Sequence, residues 1–282
     1  MTWKLHLTHT GYCTSNRAEV LQGEKRETIR FYATIGILEH PKHGLVLFDV
    51  GYHDKFYEQT EAFPYSIYAK ITPVFHLPGE SAKSRLEALG YNAKEVSMVV
   101  ISHFHADHIA GLIDFPNAKF ICDSKAWYSI RSKKGFSAVR KGFIPALLPS
   151  DFEQRLELID FEKGIAVKYH EILKREYDLF DDGSFMICEL PGHAFGQIGA
   201  RIQINSGEVF LIADAAWVKE NYIAMKLPSQ VVKLFFSSWS QFKKSLEKVN
   251  RYHKEHPSTL VIPCHCFSTL MELNPDSVEL KA

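Results

Sequence analysis

The stretch Ser102-His103-Phe104-His105-Ala106-Asp107-His108 places four potential metal ligands within six residues. It follows an apolar run that the sequence pattern predicts to be a buried strand. Because alternate side chains of a strand share a face, His103 and His105 can converge on one point. Asp107 and His108 fall where the chain must turn, so we expect them to face a second, adjacent point. Histidine and carboxylate ligands together suit zinc, iron, manganese or cobalt rather than calcium or magnesium. The stretch therefore predicts a transition-metal site, and a histidine-rich surface loop that binds nothing is the alternative.

Length and charge restrict the class of protein. The chain has 282 residues, of which 46% are hydrophobic and 23% are charged, as is typical of a soluble globular protein with a sizeable core. Lysine plus arginine and aspartate plus glutamate both total 33, so no basic excess indicates a nucleic-acid partner. No cluster of like charges indicates a membrane surface, and no apolar run approaches the ~20 residues that cross a bilayer. We therefore expect no nucleic-acid partner and no membrane partner.

The cysteines indicate a reducing compartment. They are five in number and scattered, at positions 13, 122, 188, 264 and 266, which fits free thiols better than a disulfide framework. The N-terminal stretch Met1-Thr2-Trp3-Lys4-Leu5-His6-Leu7 lacks the apolar core of a signal peptide. No internal repeat, low-complexity tract or Gly/Ser-rich linker divides the chain. We predict a cytoplasmic protein whose residues 1–282 form a single domain.

Alternating strands and helices predict an α/β protein. A helix is expected over residues 81–89, and another begins at Asp123 or Ser124. A long helix over residues 229–253 carries an apolar stripe that includes Phe235, and this stripe indicates core packing. Strands are predicted over residues 3–8, 31–38, 45–50, 96–101, 118–122, 155–160, 165–169, 185–190, 199–204, 208–213 and 258–263.

Two segments lack regular periodicity and are rich in aromatic side chains. Residues 52–76 include Tyr65 and Tyr68, and an irregular segment of this length in a compact domain is usually a lid or a binding loop. Its aromatic content argues against disorder. Residues 134–154 carry Phe143 and are interpreted as a second wall of a pocket for an apolar group. The alternatives are simple packing or a dimer contact for the first segment and a plain surface loop for the second.

Three further candidate ligands follow predicted strands, namely His193, Asp214 and His265. Each alone would more often be a turn residue or a buried polar residue, but together they are the residue types that would complete two sites. Two metals ~3.5–4 Å apart need a shared ligand, and a carboxylate with two oxygens is the natural bridge. Of the three, only Asp214 can act in this way. Asp49 ends another strand, where it either orients a histidine ligand through the free ring N–H or only forms a turn.

The order His103-x-His105-x-Asp107-His108, Gly192-His193, Asp214 and His265 resembles the metallo-β-lactamase superfamily, and Asp49 with Gly51 matches the strand-end acid of that superfamily. The pattern spans nearly the whole chain. The resemblance implies a four-layer αββα sandwich of two mixed β-sheets flanked by helices, with the metals at one edge. It also implies two metal sites that share one bridging ligand. By this resemblance the first metal is held by His103, His105 and His193, the second by Asp107, His108 and His265, and Asp214 is the bridge. Two divalent metal ions are expected, zinc foremost, with iron, manganese or cobalt as alternatives.

Within that superfamily the chain is similar to the N-acyl homoserine lactone lactonases, chiefly in residues 214–222. True β-lactamases of the fold commonly have a cysteine where Asp214 stands and carry an export signal. The lactonases usually place a tyrosine three residues after the bridging aspartate, where its hydroxyl assists the substrate carbonyl. This chain has Trp217 there, which can donate only an indole N–H. Either that N–H substitutes, or another tyrosine such as Tyr222 reaches in, or the substrate differs.

The resemblance and the ligand types together predict opening of a lactone such as an N-acyl homoserine lactone. A hydroxide held between the two metals would attack the ester carbonyl. Asp107, a ligand with a spare oxygen, is predicted to carry the proton to the leaving alkoxide. The expected substrate is a small ester or lactone with an apolar group, and the protein is expected to be a monomer or a homodimer. Thioester hydrolysis resembling glyoxalase II, or hydrolysis of another small ester, is the alternative, and a metal-binding sensor without turnover is a third possibility.

The sequence Cys264-His265-Cys266 allows two interpretations. Strand alternation places both thiols opposite His265, where they would only pack in the core. In the second interpretation, a thiol joins the ligands and makes the second site softer.

Overall fold

The computed structural model describes residues 2–273, whose strands form two sheets. The strands are β1 (Lys4–Asn16), β2 (Thr28–His40), β3 (Gly44–Phe48), β4 (Val74–Phe75), β5 (Val96–Val100), β6 (Lys119–Asp123), β7 (Leu156–Ile159), β8 (Val167–His170), β9 (Lys174–Asp178), β10 (Phe185–Glu189), β11 (Ile198–Ile204), β12 (Gly207–Ala213) and β13 (Leu260–Pro263). The helices are α1 (Arg17–Val20), α2 (Lys55–Thr60), α3 (Ser66–Ile71), α4 (Ala82–Ala88), α5 (Ala106–Ile109), α6 (Ser124–Ile130), α7 (Phe136–Val139), α8 (Lys219–Ile223), α9 (Trp239–Glu255) and α10 (Phe267–Leu273).

The two sheets are both mixed. The first has seven strands in the order β4-β1-β2-β3-β5-β6-β7 and the second has six in the order β13-β12-β11-β10-β9-β8. In the first sheet β1, β2 and β3 pair antiparallel, and β3, β5, β6 and β7 run parallel. In the second sheet only β12 and β13 are parallel. Parallel neighbours bring the carboxyl ends of successive strands to one edge, which is where the candidate ligands follow.

Three hydrophobic cores separate four layers. Between the sheets, Phe48 and Val100 of the first pack with Ile187 and Leu211 of the second. Each such side chain contributes roughly 1.5–3 kcal/mol when fully buried. This central core binds the two sheets face to face.

The outer faces of the sheets are covered by helices. Val99 packs in one core with Leu86 of α4 and Trp127 of α6 on the first sheet. On the second sheet, Phe210 packs with Leu246 of α9. The layers are therefore helix, sheet, sheet and helix, which confirms the four-layer αββα sandwich expected from the sequence. No helix within residues 2–273 combines the length and apolar composition needed to cross a membrane.

The aromatic segment 52–76 is more regular than predicted. It contains helices α2 and α3 and the two-residue strand β4 instead of an irregular loop. Each helix has only six residues, which is shorter than the window in which a 3.6-residue period becomes visible. The segment therefore shows no periodicity although about half of it is helical.

The long helix begins later than predicted. It starts at Trp239 because the Ser238 side chain caps it, accepting a hydrogen bond from the Gln241 backbone N–H. Phe242 and Leu246 are buried as expected. The assignment of Phe235 to the same core stripe is wrong, since this side chain precedes the helix and is 59% exposed.

The first strand is longer than predicted and reaches Asn16. Its pairing with β2 shifts register between His9 and Tyr12, and Gly11 in that interval has φ of 101°. Such a bulge interrupts the alternation by which a strand is recognised in a sequence. Strand β9 and helices α1, α7, α8 and α10 are also absent from the sequence-based prediction, and they are short.

Candidate metal centre

The predicted ligands follow the ends of three strands in the second sheet and one strand in the first. They are His103 and His105 after β5, Asp107 and His108 in α5, His193 after β10, Asp214 after β12, and His265 after β13. All are buried except His105 and Asp107, which are partly exposed. The structure thus brings all seven residues together, although they span 163 positions of the chain (103 to 265).

Three histidines form a first group. One ring nitrogen from each of His103, His105 and His193 lies within 4.8 Å of the others. His105 Nδ1 and His193 Nε2 are 3.0 Å apart. Burial lowers the pKa of His103 and His105, and lowers the pKa of His193 to about 3. These imidazoles are therefore neutral, which is the form that binds a cation.

A second group contains His108, Asp214 and His265. His265 Nε2 lies 3.2 Å from Asp214 Oδ2, and His108 Nε2 lies 3.5 Å from Asp214 Oδ1. Asp107 adjoins this group, with its Oδ2 atom 3.5 Å from His108 Nε2 and 3.7 Å from His265 Nε2. Two nitrogens and two carboxylates thus face one point.

Asp214 joins the two groups. Its Oδ2 atom, which faces His265, is also 3.2 Å from His193 Nε2. The backbone turns sharply at Ala213, where φ is 45°, and the Cys264 N–H donates to the Ala213 carbonyl at 3.2 Å. Burial would raise the pKa of Asp214, but His265 and His193 hold it well below its usual value. The carboxylate therefore stays charged between the groups, as a bridging ligand must.

The residues present fit two divalent cations. Within residues 2–273, His103 Nε2, His108 Nε2 and Asp214 Oδ1 are buried without a hydrogen-bond partner. Buried polar atoms normally have partners, and these three are atoms that a bound cation would satisfy. Zinc bonds nitrogen at about 2.0–2.1 Å, so tetrahedral ligand atoms lie roughly 3.3 Å apart. The nitrogen and oxygen separations of 3.0 to 3.5 Å given above match this spacing.

Hydrogen bonds from behind orient the ligands. Asp49 Oδ2 accepts from His108 Nδ1 at 2.7 Å, and the same carboxylate accepts from the Ser102 N–H and hydroxyl at 2.8 and 2.7 Å. His265 Nδ1 donates to the Tyr32 carbonyl at 2.8 Å. In both rings the remaining nitrogen, Nε2, is thereby directed into the site. Asp49 thus has the orienting geometry rather than serving only as a turn residue.

Carboxylates keep the second group basic. Burial would lower the pKa of His108, but Asp107 and Asp49 raise it well above its usual value. Asp214 raises the pKa of His265 against the same effect of burial. Because a histidine must be deprotonated to bind a metal, a cation there would replace these protons.

The two cysteines beside His265 differ. Cys264 Sγ lies within 4.8 Å of the second group, although its thiol donates to the Thr34 carbonyl at 3.7 Å. Cys266 Sγ instead accepts from the Thr269 hydroxyl at 3.1 Å. Both thiols are buried, as the first interpretation expects, and Cys264 still lies near the ligands because β13 ends at Pro263, where strand alternation no longer applies.

Contacts leave neither the Trp217 indole nor the Tyr222 hydroxyl free to assist a substrate carbonyl. Its indole Nε1–H donates to Asp214 Oδ2 at 3.1 Å, so this donor is already used. Tyr222 is 4% exposed and its hydroxyl donates to the Val261 carbonyl at 3.4 Å. Tyr222 therefore belongs to the core between the second sheet and α9, and the prediction that it reaches the substrate is wrong.

A cavity of about 470 Å³ opens onto both groups. Of the predicted pocket residues, Tyr68 and Trp217 line it. Phe143 does not, because it is 2% exposed and packs against Phe104 in the core. Tyr65 does not line it either, because its hydroxyl accepts from the Gly135 N–H at 3.0 Å. The expectation for these two side chains is not met.

Further side chains complete the wall of the cavity. Cys13 and neighbouring residues of β1, together with Phe31, Tyr52, Arg140 and Phe235, line it. Tyr52 and Arg140 belong to the segments 52–76 and 134–154, which were interpreted as pocket walls. Nothing in the sequence distinguishes the others, and β1 reaches the site only through its extension past the bulge.

Comparison with known families shows which superfamily the chain resembles. Residues 29–255 match the family model described as the metallo-beta-lactamase superfamily. The N-acyl homoserine lactonase AttM of Rhizobium radiobacter is 28% identical over 178 residues, which is 63% of this chain and 61% of that protein. The metallo-hydrolase mfmC of Annulohypoxylon moriforme is 30% identical over 146 residues, covering 49% of this chain and 37% of that protein. The chain thus matches about three fifths of the length of the AttM relative.

Solved structures share the fold over almost the whole chain. A structure of an N-acyl homoserine lactone hydrolase with N-hexanoyl-L-homoserine at its metal centre superimposes with a TM-score of 0.71 at 17% identity, covering 96% of this chain and 97% of that one. The dizinc quorum-quenching lactonase AidC superimposes with a TM-score of 0.61 at 15% identity, covering 94% and 87%. At these identities the likeness concerns the fold. Since the family model covers most of the chain and its ligand residues converge, the protein belongs to the metallo-beta-lactamase superfamily.

Proposed function

We propose that this protein is a dinuclear metal-dependent hydrolase that opens the ring of an N-acyl homoserine lactone or a similar lactone. One observation carries the proposal: the Asp214 carboxylate contacts the first histidine group and the second at the floor of a cavity of about 470 Å³. A carboxylate shared between two ligand groups is the arrangement that two-metal hydrolysis requires. The AttM relative, which is named as a lactonase, supports the substrate class.

The cofactors would be two divalent cations, zinc foremost. His103, His105 and His193 would hold one cation, Asp107, His108 and His265 the other, and Asp214 both. When bound, the cations would supply a nucleophile from water at neutral pH and polarise the ester carbonyl.

The protein side chains would orient the ester and move the proton. Asp107 is partly exposed to the cavity, and its Oδ2 atom lies at the second group. It can therefore take the proton of the attacking water and return it to the oxygen of the leaving alcohol. Phe31 and Phe235 in the cavity wall give a surface on which an acyl chain can bind without water.

The test is turnover on a panel of esters. Protein freed of metal with a chelator and reloaded with zinc or manganese would be assayed for proton release on N-acyl homoserine lactones, lactoylglutathione and a phosphodiester. We expect metal-dependent turnover of the lactones and its loss in His193→Ala. If only lactoylglutathione is turned over, the substrate is a thioester and the proposed lactone is wrong. Inactivity on every compound would contradict the proposal that the protein is an enzyme.

We further propose that residues 1–282 form one domain and that the protein acts in the cytoplasm, as a monomer or homodimer. The central core, which contains residues of both sheets, supports the first statement. All five cysteines are buried free thiols, which supports a reducing compartment.

A further inference from the structure

The cavity needs a hydrogen-bond donor for the substrate carbonyl, and the donors nearest the bridging carboxylate are unavailable. Hydrolysis of an ester builds negative charge on the carbonyl oxygen, and a donor placed in advance stabilises that charge. The Trp217 N–H is bonded to Asp214, and the Tyr222 hydroxyl is bonded to the Val261 carbonyl in the core. The donor must therefore come from another wall.

Two tyrosines of the segment 52–76 line the cavity together with Asp107. The hydroxyl of Tyr52 forms a hydrogen bond with the Cys13 thiol. The Tyr68 oxygen instead accepts a hydrogen bond from the Ala106 backbone N–H, and among residues 2–273 no side chain accepts a hydrogen bond from its O–H. A phenol carries its proton at neutral pH, because its ordinary pKa is about 10. The Tyr68 O–H is therefore the unused donor in the wall next to Asp107.

The position of Tyr68 is fixed by its helix. Tyr68 packs edge-on against Phe56 at 5.7 Å between ring centroids, and its carbonyl accepts from the Thr72 N–H at 2.8 Å. Tyr65 immediately precedes α3, and its hydroxyl accepts from the Gly135 N–H, which ties the start of the helix to residue 135. A donor held by packing on both sides costs little reorganisation when charge develops.

We propose that the Tyr68 hydroxyl donates a hydrogen bond to the carbonyl oxygen of the bound ester as this oxygen becomes negatively charged. The inference rests on the proposed function, since it assigns a residue to the same reaction. The phenol donates a hydrogen bond and keeps its proton throughout. Tyr68 would thus perform from α3 what the indole of Trp217 cannot perform from the loop after β12.

The test compares the removal of two phenol hydroxyls. Tyr68→Phe deletes the proposed donor, and Tyr128→Phe is the control, because Tyr128 is 55% exposed on α6 and is not among the residues that line the cavity. We expect Tyr68→Phe to lower kcat on the order of 10²-fold with little change in KM. Metal content should stay at the wild-type level in both variants, and Tyr128→Phe should keep its kcat.

A second measurement does not depend on turnover. Calorimetry would compare a cyclic phosphonate, which carries a charged oxygen in tetrahedral geometry, with the ring-opened acid. Tyr68→Phe should weaken phosphonate binding by tenfold or more and leave binding of the acid nearly unchanged. If the wild type is active and Tyr68→Phe has the same kcat, the inference is overturned and the proposed function stands. The same holds if Tyr68→Phe loses activity only because it has lost metal. A wild type inactive on all esters would overturn both.

Discussion

At the scale of single residues, the two aspartates Asp107 and Asp49 have different roles. Asp107 faces the cavity, with its Oδ2 atom at the second ligand group, whereas Asp49 is 1% exposed and lies behind His108. The first can exchange a proton with a substrate, and the second can only hold a ring in place. Replacement by asparagine therefore separates chemistry from metal binding.

Asp107→Asn removes the proton carrier and keeps the size of the side chain. We expect kcat to fall on the order of 10²-fold or more, with a much smaller change in KM, because a positioned acid or base contributes that much. Steady-state kinetics on a lactone, with metal content measured in the same samples, would check this. A change confined to KM would contradict the role.

Asp49→Asn weakens the support of His108. Asparagine tolerates the left-handed backbone of this position, where φ is 58°, so the fold should persist. We expect one of two metal equivalents to bind about 10–100-fold more weakly, as is usual when a carboxylate behind a metal-binding histidine is lost. Competition with a chelating dye would measure this. Asp182→Asn is the control, because Asp182 supports His43 at 2.8 Å away from the ligand groups; equal affinities in the two variants would refute the assignment.

At the scale of elements, the ends of strands and helices carry the polar groups. Asp123 ends β6 and caps α6, where its Oδ1 atom accepts from the Lys125 N–H at 2.8 Å. Its other oxygen is buried without a hydrogen-bond partner within residues 2–273. Burial accordingly raises the pKa of Asp123 to about 6. Ionisation of this group opposes folding above that pH.

Asp123→Asn should stabilise the protein at high pH. Wild type loses stability as pH rises from about 4 through 6, by up to about 3 kcal/mol, because the unfolded carboxyl ionises first. Asparagine is an equally good cap and carries no charge. We expect the variant to have the higher free energy of unfolding at pH 8, with the difference vanishing near pH 4, in urea titrations. Asp160→Asn, which also removes a carboxylate accepting from a backbone N–H, should show little of this pH dependence.

At the scale of the whole molecule, one buried ion cluster ties the second sheet to its covering helix. Arg201 of β11 forms two bonds of 2.7 Å with Glu176 of β9 and one of 2.6 Å with Glu208 of β12. The same guanidinium contacts the Tyr252 hydroxyl of α9 at 3.0 Å. These contacts raise the pKa of Arg201 against the effect of burial. The cluster therefore fixes the layer from which Asp214 and His193 extend.

Arg201→Met should destabilise the fold without touching the ligands. It leaves the buried Glu176 carboxylate unpaired, and loss of one partner of a buried ion pair costs about 3–5 kcal/mol. Equilibrium unfolding in denaturant would measure the loss, with metal stoichiometry unchanged in the folded protein. Arg251→Met removes an exposed pair with Glu255 and should have little effect; equal losses in the two variants would contradict this view.

The sequence alone was sufficient for the family pattern, the layered fold and the seven candidate ligands. A histidine or aspartate that follows a strand can be recognised from the local sequence alone. The types of these residues and their order along the chain therefore predict the candidate ligands. Tertiary structure decided the rest. Whether Phe143, Tyr65 and Tyr222 face substrate or core depends on contacts between distant segments, and short helices such as α3 leave no periodic trace. The cavity wall contributed by β1 likewise exists only after folding, because it joins segments that are far apart in the sequence. The hydrogen bond from the Trp217 N–H to Asp214 joins near neighbours, but the direction of the indole depends on its packing against Phe236.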